Sequence, residues 1–309
     1  MQIVLLDALT FGDTDLSAFN SLGNVEVYEK TSVDETEERI TNATVIVTNK
    51  VVITKELMLS AKSLKLICIA ATGMNNVDLD AAKELSIEVK NVAGYSTDSV
   101  IQHTFSMLFY LAGHSRYYDE SVKDGTYSRS GLFTDVSKSF FEVKGKKWGI
   151  IGLGNIGKGV ASVASAFGAE VVYYSTSGVK RQESYEALSL EELLTTCDII
   201  SIHAPLNEKT NNLLDYEQLL TCKDETIVLN LGRGGIVNED AVVKIIDETN
   251  MAFGLDVLSK EPMIEDHALF SVKNQERLFI TPHIAWASVQ AREKLIALVV
   301  QNIKDSSLS

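Results

Sequence analysis

Short runs of apolar and β-branched residues recur along the chain, separated by stretches in which apolar positions return every three or four residues. The first series is Ile3 to Leu6, Val25 to Tyr28, Thr44 to Val47, Leu66 to Ala70 and Ile87 to Lys90, with helical patterns such as Lys55 to Ala61 and Leu79 to Leu85 between them. Strands alternating with helices predict an α/β domain. Ser96 to Ala112 then reads as a long apolar helix. Tyr117 to Val143, rich in Ser, Tyr and Phe, predicts an irregular stretch, either a subunit-contact arm or a long surface loop. A second series begins at Lys147: Trp148 to Ile151, Glu170 to Tyr174, Asp198 to Ile202, Thr226 to Asn230, Ala252 to Asp256 and Leu278 to Ile280. Six strands with helical crossovers predict a doubly wound parallel sheet. The helical pattern Ala287 to Ile303 follows the completed sheet and is expected to return to the first domain.

Between these series the chain reads K-W-G-I-I-G-L-G-N-I-G, an apolar run passing into Gly152-x-Gly154-x-x-Gly157 and then a helical stretch, Lys158 to Phe167. The first glycine allows a tight turn, the second lets a diphosphate approach the backbone, and the third lets the helix pack against the strand. The helix N-terminus offers unpaired N–H groups to the phosphates. Three glycines alone also occur in ordinary loops; the strand before and the helix after point to a dinucleotide.

Composition narrows the partners. The 309 residues are 45% apolar, ample for two domains. A net charge of -14 disfavours nucleic acid and anionic membrane surfaces, which select basic proteins. No apolar run is long enough to span a bilayer, and Met1 leads straight into a strand pattern without a signal-like segment, so a soluble, cytoplasmic protein is expected. Cys68, Cys197 and Cys222 are odd in number and sit in or beside apolar segments, which suits reduced core thiols better than disulfides or a metal site.

Three further constellations follow strands of the second series, where open α/β sheets bind ligands. Asn230-Leu231-Gly232-Arg233-Gly234-Gly235 puts a guanidinium, a planar fork for a carboxylate, just past an apolar strand. Asp256-Val257-Leu258-Ser259-Lys260-Glu261-Pro262 brackets a turn with two acids, and Thr281-Pro282-His283-Ile284-Ala285-Trp286 holds a histidine after a proline. Singly, each has an ordinary reading: a solvated loop cation, an acid before a proline, a capping histidine. Together, behind a dinucleotide motif, they read as a site.

The ordered set G-L-G-N-I-G, N-L-G-R-G-G-I-V, D-V-L-S-K-E-P and T-P-H-I-A-W resembles the D-isomer-specific 2-hydroxyacid dehydrogenases over essentially the whole chain. Trp286 and the stretch N-V-A-G-Y-S-T-D-S-V at Asn91 to Val100 are most similar to the glycerate dehydrogenase (hydroxypyruvate reductase) branch. The resemblance implies two Rossmann-like or flavodoxin-like domains, residues 1–98 plus 287–309 for substrate and 99–286 for the dinucleotide. It also implies a homodimer, catalysis in a cleft, and NAD- or NADP-dependent hydride transfer to or from a short 2-oxo or 2-hydroxy acid, hydroxypyruvate or glyoxylate foremost.

For single residues the resemblance implies His283 as acid and base, paired with Glu261, a role typically contributing about 10²- to 10⁴-fold. Arg233 would anchor the substrate carboxylate, with the backbone of Thr72 and Gly73 helping. Trp286 could wall the pocket and donate to a substrate hydroxyl. Gly152, Gly154, Asn155, Ile156, Gly157, Leu231 and Gly232 are cofactor candidates, Asp256 is matched with the nicotinamide amide, and His203-Ala204-Pro205 with the adenine-side loop. Family members often carry Glu where this chain has Gln102 and Asp where it has Asn238. NAD-specific members place an acid after the second strand of the dinucleotide domain, whereas here Ser175, Thr176 and Ser177 stand there, with Lys180 and Arg181 beyond, so NADP use is expected at least beside NAD. The alternatives are a dinucleotide-sensing corepressor of the same fold, and a dehydrogenase of the same family acting on another 2-oxo acid.

Overall fold

The computed structural model describes residues 1–179 and 184–307. The chain divides into two compact units, Met1–Ser96 with Trp286–Ser309, and Thr97–Ala285. Trp286 therefore belongs to the first unit and Thr97 and Asp98 to the second, so the boundaries lie one and two residues from those expected from sequence.

In the first unit five parallel strands, β1 (Gln2–Leu5), β2 (Asn24–Val27), β3 (Val45–Thr48), β4 (Leu66–Ile69) and β5 (Glu88–Lys90), lie in the order β2-β1-β3-β4-β5. Crossovers cover both faces, so β3 (VIVT) and β4 (LICI) are buried at every position, while the edge strand β2 is largely exposed. Residues return to this unit at the C-terminus: helix Val289–Lys304 buries Leu295, Ile296, Val299, Val300 and Ile303 against the core around Ile3, Leu5 and Val47. Truncating such a residue to Ala typically costs about 2–5 kcal/mol.

The second unit is an all-parallel sheet of seven strands: β6 (Lys147–Ile151), β7 (Glu170–Tyr174), β8 (Glu186–Ala187), β9 (Ile199–Ile202), β10 (Ile227–Asn230), β11 (Ala252–Leu255) and β12 (Leu278–Ile280). Their order, β12-β11-β10-β9-β6-β7-β8, reverses direction between β6 and β9. Six strands are expected from sequence; the seventh, β8, is a two-residue edge ladder pairing Val172 with Glu186 and Tyr173 with Ala187, and it has no apolar run to announce it. The helix after the glycine turn runs Asn155–Ala166, three residues earlier than its apolar pattern indicates. It packs on helix Thr97–Ala112, where a Cβ on Gly159 would come within 2.1 Å of Ile101 Cδ1.

The stretch expected to be irregular corrects in part. Helices Ser115–Lys123 and Thr126–Ser130 form there, built on polar and tyrosine side chains with little burial, and only 131–146 lacks regular structure. Cys68 and Cys197 are fully buried and Cys222 partly so, and none is in a disulfide. Burial pushes their thiols up to about 12, 11 and 12 respectively. Among the described residues no helix is long and apolar enough to cross a membrane.

Candidate active site

The glycine turn sits where the second sheet reverses. Gly152, at φ +94°, follows β6, and a Cβ there would lie 2.9 Å from the backbone nitrogen of Ala204 after β9. The first turn thus needs glycine both for its conformation and for the close approach of the 203–205 loop. At Gly157 an added Cβ would meet the carbonyl oxygen of Gly152 at 2.3 Å, whereas at Gly154 it would meet nothing within 4 Å. Gly154 provides no side chain to cap helix Asn155–Ala166, so the N–H groups at that end, including those of Asn155 and Ile156, keep their donors. Beside this turn both ring nitrogens of His203 are buried without a hydrogen-bond partner among the described residues, and burial lowers the imidazole to about 3, keeping it neutral. A glycine cradle at a helix N-terminus with an orphaned polar side chain beside it fits a dinucleotide diphosphate.

After β7 the chain turns through Ser175, Thr176 and Ser177. Ser175 Oγ donates to Val179 O at 2.8 Å and lies 3.3 Å from Ser177 Oγ, while the Gly178 N–H donates to Ser175 O. No acid stands in this turn. With its proton engaged by Val179 O, Ser175 Oγ has only acceptor capacity left. Lys180 and Arg181 lie outside the described residues.

The remaining candidates follow three adjacent strands. Asn230, Leu255 and Ile280 are in register across β10, β11 and β12, so the loops carrying Arg233, Glu261 and His283 leave the same carboxyl end of the sheet. After β10, Asn230 braces its loop twice: its side-chain oxygen accepts the Gly232 N–H and its amide donates to Arg233 O. Arg233, half-buried, spends one N–H on Gly232 O at 2.8 Å and has no carboxylate partner within its unit among the described residues. Leu231 and Gly232 are buried in the same loop, and a Cβ on Gly232 would meet Ala204 O at 2.7 Å. A Cβ on Gly234 would collide with the Leu258 carbonyl at 1.9 Å, so the arginine loop and the acid-bearing loop pack backbone to backbone.

His283 Nδ1 lies 2.7 Å from Glu261 Oε2, and the other oxygen of Glu261 accepts the Leu258 N–H. A carboxylate there requires Nδ1 to carry a proton, which leaves Nε2 as the nitrogen that gives or takes one. His283 adopts φ +54°, a left-handed conformation that costs a non-glycine residue about 1 kcal/mol or more, so neighbouring bonds must hold it. They come largely from Asp256, only 2% exposed: its carbonyl accepts the His283 N–H at 2.8 Å, and its carboxylate accepts the N–H groups of Ile284 and Ala285. Sequence reading matched Asp256 with the cofactor; its part in shaping the histidine loop had no sequence signal. Asn238, in place of the family Asp, caps helix Glu239–Glu248 through its side-chain oxygen, a task either residue performs.

Thr72, Gly73 and Trp286 lie in the first unit. Thr72 Oγ1 donates to Val92 O and its carbonyl accepts from Asn91; Trp286 meets Tyr95 edge-on, with ring centres 6.1 Å apart.

Residues 105–285 match the model of the D-isomer specific 2-hydroxyacid dehydrogenase NAD binding domain. The chain is 33% identical to a hydroxypyruvate reductase of Blautia hydrogenotrophica, over 99% of this chain and 96% of that protein. Among solved structures it is similar to an acyclic imino acid reductase in complex with NADPH and D-Arg (27% identity, TM-score 0.86, 98% of this chain and 96% of that one). A D-lactate dehydrogenase from Aquifex aeolicus complexed with NAD and lactic acid is similarly close (26%, TM-score 0.83, 98% and 94%). The glycine cradle, the His283–Glu261 pair and the Arg233 guanidinium thus stand in a chain that belongs to the D-isomer specific 2-hydroxyacid dehydrogenase family, NAD-dependent oxidoreductases.

Proposed function

We propose that this protein reduces a short 2-oxo acid, hydroxypyruvate foremost and glyoxylate next, to the D-2-hydroxy acid, and runs the reverse oxidation. The observation that carries the reading is the 2.7 Å His283–Glu261 pair at the carboxyl ends of strands that also present Arg233, a guanidinium without a carboxylate partner in its unit among the described residues. A nicotinamide dinucleotide held by the glycine cradle would contribute hydride chemistry at C2, in either direction. Arg233 holds the carboxylate and draws charge toward the C2 oxygen, where negative charge grows as the carbonyl is reduced. His283 delivers its Nε2 proton to that oxygen, and Glu261 steadies the imidazolium before the transfer. Gly152, Gly154 and Gly157 with the N–H groups of Asn155 and Ile156 hold the diphosphate, and the 203–205, 231–232 and 256 positions complete the cofactor site. Thr72, Gly73 and Trp286 are assigned to the substrate on their motifs.

We also propose that NADPH is accepted at least comparably with NADH, because the Ser175–Ser177 turn presents no carboxylate to repel a 2′-phosphate. Homodimer formation through 131–140 is supported by the exposure of Leu132, Phe133, Val136 and Phe140 there. A cytoplasmic location fits the three cysteines, none of which is in a disulfide.

A panel of hydroxypyruvate, glyoxylate, pyruvate and a branched-chain 2-oxo acid with NADH and NADPH tests the function. Hydroxypyruvate should give the highest kcat/KM; preference for the branched acid would sink the substrate assignment. His283→Ala should lower kcat at least about 10²-fold with cofactor affinity intact.

A further inference from the structure

A chain of polar side chains runs from the middle of helix Thr97–Ala112 to the loop bearing His283, and none of its outer members belongs to the reacting set. His103 Nε2 lies 3.0 Å from Thr281 Oγ1, and Thr281 Oγ1 lies 2.6 Å from Asp256 Oδ1. Thr281 is the first residue after β12 and Asp256 the first after β11. Both Thr281 and Asp256 are buried, at 8% and 2% exposure. Beyond Asp256 the chain ends on backbone: the Ile284 and Ala285 N–H groups at 2.8 and 3.0 Å on its carboxylate, and the His283 N–H at 2.8 Å on its carbonyl.

Counting protons sets the direction of every bond. A carboxylate only accepts, so the single hydroxyl proton of Thr281 goes to Asp256, and the hydroxyl oxygen must accept from His103 Nε2–H. Burial favours the neutral imidazole at His103, partly opposed by Asp256, so the ring carries its proton on Nε2. The imidazole thereby fixes the rotor of Thr281, the hydroxyl fixes the carboxylate plane of Asp256, and that plane fixes the backbone on the C-terminal side of a histidine held at positive φ.

We propose that His103 and Thr281 are positioning residues for proton transfer at His283, acting only through Asp256 and the backbone of residues 283–285. The proposal rests on His283 being the proton carrier. Loss of the chain should then show in the chemical step, because the transition state is the species most sensitive to a misplaced imidazole.

Thr281→Val removes the hydroxyl at nearly constant volume and should lower kcat about 10- to 100-fold, with KM for hydroxypyruvate within about threefold of wild type and Kd for NADH, to which Asp256 is also assigned, rising by a smaller factor than kcat falls. Thr281→Ser keeps the hydroxyl and should stay within about threefold in kcat; His103→Gln, which keeps an N–H donor, should do better than His103→Leu. Because the bonds form one chain, Thr281→Val combined with His103→Leu should cost no more than the larger single loss. Nitrogen-15 spectra of the wild-type histidine rings read the same chain without turnover, and His103 should show the Nε2–H tautomer. An Nδ1–H tautomer, additive losses, or a Thr281→Val defect confined to NADH affinity each overturns the proposal and leaves the assigned reaction standing. A wild-type protein that binds NADH and shows the expected tautomer yet reduces none of the 2-oxo acids overturns the assigned reaction, and with it any positioning role.

Discussion

In the first unit β1 ends at Leu5 and the chain turns at Asp7, whose carboxylate accepts the backbone N–H groups of Asn49, Lys50 and Val51 from the loop after β3. In the second unit β6 ends at Ile151 and the chain turns at Gly152, against Ala204 from the loop after β9. Both turns stand where their sheet reverses strand order, the position at which open α/β sheets take ligands. One unit fills that position with its own anion. The other leaves it lined by glycine, a helix N-terminus without a side-chain cap, and the ring of His203, which has no partner among the described residues. Topology therefore sets where a ligand can bind, and one residue after the first strand decides whether the protein binds there itself.

The strongest way to break this comparison is to close the open turn. Gly152→Val forces a β-branched side chain into φ +94° and against Ala204, and should weaken NADH at least about 10³-fold, equivalent to roughly 4 kcal/mol. Calorimetric titration on a folded variant giving a Kd within tenfold of wild type would mean the turn is not the diphosphate site. Opening the closed turn should have a different signature. Asp7→Ala leaves three backbone N–H groups, the buried one of Asn49 among them, without their acceptor and should cost about 2 kcal/mol in urea unfolding, with NADH affinity unchanged.

Burial outweighs those backbone donors and holds the Asp7 carboxyl above the usual range. With its folded pKa raised, the protonation-linked part of its contribution is complete below the unfolded value and is lost as pH rises through the folded one. Unfolding of wild type and Asp7→Ala across acid to neutral pH should therefore converge as pH increases; a gap that widens would reverse the assignment of burial as the dominant cause. The smallest expected effect sharpens the open turn further. Ser175→Asp replaces a hydroxyl acceptor by a charge beside the ribose position and should shift selectivity toward NADH by about tenfold in kcat/KM, roughly 1.4 kcal/mol. An unchanged NADH to NADPH ratio would show that the turn after β7 does not read the ribose.

What could be read from sequence follows burial. Strands such as β3 and β10 are covered on both faces and announce themselves as unbroken apolar runs, whereas β8 is two residues at an edge, and the helices at 115–123 and 126–130 bury too little to leave a period. The site divides the same way. Gly152, Gly157 and Gly234 are legible because backbone crowding tolerates nothing larger, and His283 and Glu261 because their motif is short. Their supports are not, since His103 and Thr281 stand 178 positions apart and meet only through the fold.

The two fully buried cysteines, Cys68 and Cys197, give this architecture a built-in timer. Alkylating reagents consume thiolate, and a thiol held at about 12, as Cys68 is, supplies only about one part in 10⁴ of it at pH 8. Labelling must then wait for the surrounding structure to open. Cys68 sits in one unit and Cys197 in the other, so peptide-resolved labelling rates at these two would count the openings of each separately. If dinucleotide slows the second clock and leaves the first running, the ligand energy is stored in the unit that carries the glycine turn.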